Sequence, residues 1–366
     1  MIAMLGLAVV LLAQQPATLD GLLEKHADAS RQAKTFEELA VLARKTLAEI
    51  LKLLESKPDA ETAARGRAIA ADICADLEDY DGAETQAKAF LEAWPKHKEA
   101  PLLKMTLGQV RAAAGKDAAA REAFQSLVRD HPEDARVFDA KLRIAQSFIC
   151  EGRDDEAVRS FVDLRASYKG KPQEWSAAIQ HGLALQILGK PGEGRALLEQ
   201  AVRSCNDARV VDYAKRVLTS WLWIGKPAKP VEGWDLKEKP VKLDLAGGKV
   251  TVLYFMGTAF PDFTLEAGMM RRLGKRFPPA DFSILAVGID KDKAKLEADL
   301  AIVGATWPVV YDGNGFKGPI ASSYGLDSLP MVLLIDRKNV IRYINPASGD
   351  HAREIGRCVQ VLLSEK

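Results

Sequence analysis

Small residues and turn residues return every 37 positions through the middle of this chain, and no other feature constrains the fold as strongly. Gly115-Lys-Asp, Gly152-Arg-Asp and Gly189-Lys-Pro stand in register. Small residues recur at Ala71, Gly108, Ala145 and Gly182, and twelve residues later at Ala83, Ala120, Ala157 and Gly194. Larger apolar residues recur at Phe124, Phe161 and Leu198, and again at Phe90, Leu127 and Leu164. Pro95 and Pro132 close the first two units. A segment that repeats at this length is one supersecondary unit, which buries its apolar face by stacking on its neighbours. The pattern predicts two-helix units. A small residue midway along each helix lets its partner approach closely, and the larger apolar residues fill the groove between units.

The helical pattern runs from about residue 17 to 224, with Pro and Gly falling mainly between apolar-periodic segments. Residues 18–57 read as one helical hairpin broken near Ala33-Lys34-Thr35. Thr35 is its second N-cap, with Glu38 placed to complete a capping box. Over residues 60–206 the spacing resembles the tetratricopeptide repeat (TPR), with 207–223 as a terminal capping helix. The period is longer than the usual value of about 34 residues. The tryptophan expected early in the first helix is replaced by Arg67, Lys104, Lys141 and Ala178. Cys74 shares a register with Phe148 and Leu185, which makes it a core filler rather than a reactive thiol.

Gly225-Lys-Pro-Ala-Lys-Pro230 stops the helices. Trp221 and Trp223, just before it, are placed to pack the helical part onto the second domain. Strands are expected at 250–255, 282–289, 307–311, 332–335 and 340–344, with helices at 294–303 and 352–363. This order predicts an α/β domain with a mixed central sheet. The expected fold class is therefore α plus α/β: a TPR-like α-solenoid at residues 17–224, then an α/β domain with a mixed central sheet at 226–366.

The second part resembles the thioredoxin fold, in its TlpA/ResA and AhpC/TSA redoxin branch. The likeness is carried by Gly248-Lys-Val-Thr-Val-Leu-Tyr-Phe255, Trp307-Pro-Val-Val-Tyr-Asp312, Tyr324-Gly-Leu-Asp-Ser-Leu-Pro330 and Leu333-Leu-Ile-Asp336. It implies a cis peptide at Leu329-Pro330, facing an active-site turn at the end of the strand 250–255. Members of this branch carry Cys-x-x-Cys at that turn. This chain has Phe260-Pro261-Asp262-Phe263. The thiolate is the nucleophile of disulfide exchange, and a phenylalanine cannot replace it. The peroxidase arrangement, Thr-x-x-Cys, fails too, because Pro261 follows Thr258 by three. The resemblance thus implies no catalytic residue at the turn. It leaves Thr258, Phe260, Pro261, Asp262, Phe263, Leu329 and Pro330 as a degenerate redox site, with Phe260, Phe263 and Leu329 as a binding surface unless a phenylalanine folds inward to plug the gap. Glu266 matches an acidic residue of the family near the helix start and is expected to be structural.

Composition removes other classes. The net charge is +1, from 51 basic and 50 acidic residues, so no basic field invites nucleic acid or an anionic membrane. Cys74, Cys150, Cys205 and Cys358 form neither a disulfide framework nor a zinc pattern, and the five histidines do not cluster. No metal or cofactor is expected. There is no phosphate loop, no Gly-x-Ser-x-Gly and no His-Glu-x-x-His. The apolar run Ile2–Ala13 is short for a membrane span and predicts a secretory signal cleaved near Ala13. This places the mature protein in the periplasm or cell envelope, without stable membrane insertion; if the run is instead an apolar first helix packed on the domain, the protein is cytoplasmic.

The resulting expectation is an exported protein-binding or scaffold protein that uses the helical repeats and the redoxin surface on a protein or peptide partner. The alternative is a thiol-disulfide oxidoreductase or peroxiredoxin-like antioxidant protein acting through a displaced cysteine, Cys358 or one in the helical part. A chaperone-like envelope factor is a third reading.

Overall fold

The computed structural model describes residues 18–33, 35–242, 248–260, 263–346 and 351–365. The signal segment expected at 1–13 lies outside them, as do Pro261 and Asp262. The chain divides into two compact units, residues 1–136 and 137–366.

The first unit is helical: α1 (Leu19–Ser30), α2 (Phe36–Glu55), α3 (Ala60–Asp76), α4 (Tyr80–Ala93), α5 (Ala100–Ala113) and α6 (Asp117–Asp130). Side-chain caps start four of these helices. Thr35 Oγ1 accepts the Glu38 N–H at 3.1 Å, and Thr18, Asp59 and Asp79 do the same for α1, α3 and α4. Gly115 closes α5 in the left-handed region at φ +76. Its equivalent 37 residues earlier is Glu78, which takes φ +60 without glycine's freedom. The small-residue rule of the sequence is visible at Gly108. A Cβ there would sit 2.3 Å from the Phe124 ring, so the ring occupies the space glycine leaves.

The second unit opens with α7 (Val137–Glu151), α8 (Asp154–Ser167), α9 (Glu174–Ile187), α10 (Pro191–Ser204) and α11 (Ala208–Ser220), followed by a 3-10 turn at Trp221–Trp223. Here α9 and α10 cross at two glycines. A Cβ on Gly194 would lie 2.5 Å from the Gly182 carbonyl oxygen, so both positions must be bare for the backbones to touch. A hairpin comes next, β1 (Glu232–Trp234) and β2 (Pro240–Lys242). The rest alternates: β3 (Val250–Met256), α12 (Phe263–Arg276), β4 (Phe282–Gly288), α13 (Lys293–Ile302), β5 (Val309–Tyr311), α14 (Pro319–Ser323), β6 (Met331–Ile335), β7 (Ile341–Ile344) and α15 (His351–Ser364).

The five-stranded sheet runs β5-β4-β3-β6-β7. β3 is parallel to β4, β4 to β5, and β3 is antiparallel to β6, β6 to β7. This is the mixed thioredoxin-like sheet that the sequence predicts. Every residue of central β3 is buried, and its side chains alternate between two cores. Val250, Val252, Tyr254 and Met256 join α12 and α15 on one face. Leu253 and Phe255 join Tyr324, Leu333 and Trp221 on the other.

Both cores continue into the helices before the sheet. Leu142, Ile149 and Phe161 belong to the first, and Ile179, Leu183 and Leu198 to the second. The change from helix to strand falls at 225–230, where the sequence places the domain boundary. The break in compactness falls earlier, at 136/137. The reason is packing: α7–α10 bury their apolar faces against the sheet rather than solely against each other. Trp221 is 2% exposed and the Trp223 ring meets the Tyr324 ring at a tilt, 5.6 Å between centroids, so both tryptophans pack across the helix-to-strand change.

Candidate functional site

The turn after β3 is built by backbone bonds and one carboxylate. Phe260 N–H donates to the Gly257 carbonyl at 3.2 Å, and Phe263 N–H to the Phe260 carbonyl at 3.1 Å, which leads the chain into α12. Asp290, two residues past β4, holds the turn from the neighbouring strand. It accepts the Thr258 N–H at 3.0 and 3.2 Å and the Thr258 hydroxyl at 2.9 Å. Lys295 Nζ reaches the same hydroxyl at 3.4 Å.

Opposite the turn, the Leu329-Pro330 peptide is cis, as the resemblance implies. Asn345 supports this loop. Its Nδ2 donates to the Pro330 carbonyl at 3.2 Å and its Oδ1 accepts the Val332 N–H at 2.6 Å. The two loops meet at Gly257. A Cβ there would be 2.9 Å from Leu329 Cδ1 and 3.0 Å from Phe260 Cδ2. Phe260 therefore folds back over the turn, with its ring edge toward Phe316 at 6.5 Å between centroids. Both rings stay partly open, at 39% and 36% exposure.

The structure thus brings Thr258, Phe260 and Leu329-Pro330 together. Of the two readings of the phenylalanines, inward folding holds for Phe263, which leaves the surface to Phe260 and Leu329. Phe263 is buried in the core with Tyr254 and Met270. The helix period explains this: Phe263, Glu266, Ala267 and Met270 form one buried stripe of α12 at i, i+3, i+4 and i+7. One phenylalanine fills the core and the other covers the turn.

Beneath the turn lies a buried polar pair. Tyr254 donates its phenol hydrogen to Glu266 Oε2 at 2.6 Å. Burial, and then the carboxylate, push the phenol's pKa well above its usual range, so it stays a donor. Sequence reasoning named Glu266 but missed Tyr254, Asp290, Phe316 and Asn345. The even-numbered alternation of β3 was a signal for Tyr254; the others come from distant loops with no local pattern.

No cysteine lies in the turn. Cys358 is buried in the α15 core at 1% exposure, and burial followed by the Glu354 charge pushes its thiol far up. Cys205 follows α10, where its sulfur accepts the Asp207 N–H at 3.4 Å. A thiol buried as Cys358 is makes a poor nucleophile. Among the described residues no group of three or more His, Cys, Asp or Glu is arranged to hold a metal, and no helix is long and apolar enough to cross a membrane.

With this geometry in place, the AhpC/TSA family model matches residues 224–344. No curated protein matches the chain. Similar solved structures include a thiol:disulfide interchange protein from a Bacteroides species, 19% identical, covering 39% of this chain and 91% of that one at a TM-score of 0.35. Another is a thiol:disulfide interchange protein of the thioredoxin family from Chlorobium tepidum, 18% identical, covering 38% and 97% at 0.34. A third is the thioredoxin domain of a thiol-disulfide oxidoreductase from Bacteroides vulgatus, 20% identical, covering 36% and 94% at 0.33. The stretch matched by the family model carries the mixed sheet of a thioredoxin-like fold, and its turn from Gly257 to Phe263 contains no cysteine.

Proposed function

We propose that this is an exported binding or scaffold protein, with a TPR-like solenoid and a redoxin domain whose redox site is degenerate. The observation that carries the reading is the position of Phe260. Its ring and the Leu329 side chain both close on Gly257, at the turn where a redoxin needs an accessible sulfur. The partly open pair Phe260 and Phe316, beside Leu329, is an apolar contact surface of the kind protein interfaces favour. Thr258, Leu329 and Pro330 frame it, and Pro261 and Asp262 follow Phe260 in the sequence. The partner is a protein or peptide segment with an apolar side chain to offer. The helical hairpins supply a second surface.

The test is a pair of assays on purified mature protein. Insulin reduction and thiol-dependent peroxide consumption stay at the uncatalysed rate, while affinity capture from an envelope extract recovers a protein partner that is lost when Phe260 and Phe316 are both replaced by Ser. Enzyme-like turnover in either assay sinks the reading.

The family match at 224–344 favours a second reading, thiol-disulfide exchange through a displaced cysteine. Cys358 is the cysteine within the redoxin domain, and its burial works against that chemistry. Unchanged redox behaviour of Cys358→Ser protein removes it.

A further inference from the structure

One face of the repeat is used twice in the second unit. Leu142 and Ile179, Gln146 and Leu183, Ile149 and Gln186, and Cys150 and Ile187 are equivalent positions of α7 and α9, 37 residues apart. All except the half-buried Cys150 are 7% exposed or less. Leu142, Ile149 and Ile187 enter the core on the Tyr254 face of the sheet, and Ile179 and Leu183 enter the core on the Phe255 face. The face therefore straddles the sheet at its β7 edge. Of the equivalent positions in α3 and α5, Asp72, Asp76, Gln109 and Ala113 are exposed, while Ala68, Met105 and Ala112 are buried.

At the middle of the buried face, Gln186 reads the backbone of one sheet residue. Its Oε1 accepts the Ile344 N–H at 2.9 Å and its Nε2 donates to the Ile344 carbonyl at 3.1 Å. A single carboxamide thereby replaces the two bonds that a neighbouring strand would give, in a buried site where water does not compete. A second tie lies on α15. Arg357 donates to the Ile149 carbonyl at 2.5 Å and to Asp154 at 2.7 Å.

We propose that this face is a docking face of the solenoid and that its ligand is the chain's own redoxin domain. Gln186 holds strand β7 and the Arg357 contacts hold α15. The hairpins α7–α10 are closed to outside partners while the sheet sits on them, and binding by the repeats falls to the hairpins before residue 137. The inference rests on the repeat reading for the equivalence of α7 with α9. It does not depend on the redox site being silent.

A protease site inserted in the exposed loop between Asn206 and Asp207 of the full chain tests it. After cleavage the two pieces co-elute at low micromolar concentration, and Gln186→Ala raises their dissociation constant tenfold or more. In the uncut chain, the same substitution speeds hydrogen exchange at the Ile344 amide at least tenfold, while Gln186→Glu, which keeps the acceptor, leaves that amide closer to wild type. Pieces that separate with their helical circular dichroism intact overturn the docking. An Ile344 amide unaffected by Gln186→Ala overturns the clamp. Loss of partner capture by the intact chain bears on the scaffold reading and leaves this inference standing.

Discussion

Tyr254 and Glu266 form a hydrogen-bonded pair of 2.6 Å inside the core, tying β3 to the helix that follows the Phe260 turn. A phenol that cannot ionise and a buried carboxylate make a fixed polar link between β3 and the first turn of α12. Removing the donor takes this hydrogen bond away from a buried carboxyl oxygen. Tyr254→Phe is therefore expected to cost about 1.5–3 kcal/mol. Urea unfolding checks this as a lower midpoint with an unchanged slope.

Thiol accessibility divides the cysteines. Cys74 and Cys358 are buried, and burial pushes the Cys74 thiol up to about 11. In the native protein a chromogenic disulfide reagent reaches neither quickly; both react after unfolding. Phe260→Cys adds one fast thiol, because it restores a sulfur at a partly open turn before a helix. A native Cys358 that reacts as fast as the introduced thiol contradicts this picture.

His181 makes the second unit acid-sensitive. The ring is 5% exposed, stacks on Phe161, and neither nitrogen has a partner. Burial, with a smaller contribution from Arg165, lowers its pKa to about 4. The unfolded chain then binds the proton more readily than the folded one. Stability is full above the unfolded value of about 6.5 and is lost as the pH falls toward 4, by about 3 kcal/mol at most. Unfolding midpoints at pH 7 and pH 4.5 measure this. His181→Leu flattens the dependence in that window.

Glu84 gives the first unit a different acid response. It bonds Lys88, Lys116 and Arg111, and these hold its carboxyl down at about 2. Its contribution is present above the usual carboxylate value and disappears as the pH falls toward 2. The partners lie partly at the surface, so screening reduces the value. Glu84→Gln should cost about 1 kcal/mol at neutral pH, and less in high salt.

Close helix approach supplies a further test. Gly194→Ala sets a methyl 2.5 Å from the Gly182 carbonyl oxygen, and a backbone atom cannot rotate away. The expected cost is about 2–3 kcal/mol, as for other overpacked sites. Gly192→Ala, with open space around its Cβ position, should be neutral or slightly stabilising.

Much of this architecture was legible because it is local or periodic. The 37-residue spacing exposed the helix crossings at Gly108 and Gly182, and Thr35 marked a helix start. The run from Val250 to Phe255 announced a doubly buried strand. The cis bond before Pro330 came from the family resemblance alone. What could not be read was which face a side chain takes where two periods compete. Phe263 belongs to the apolar stripe of α12, and that register outweighs its place in the turn motif. The division into compact units was hidden for a related reason. Composition changes at 225–230, but Leu142, Ile149 and Leu183 bury themselves in a sheet that lies far along the chain. The pair Thr258 and Asp290, 32 residues apart, has no sequence signature either.

Strand β7 meets no open margin. Gly225 and Lys226 pair with its backbone at Ile341, Ala228 with Asn339 just before it, and Gln186 with Ile344. Exposed strand margins are what let one folded chain zip onto another and seed fibres. With those amides and carbonyls already spoken for, a stray neighbour finds nothing there to extend, so crowding this protein at high concentration should not drive it into ribbons through that side.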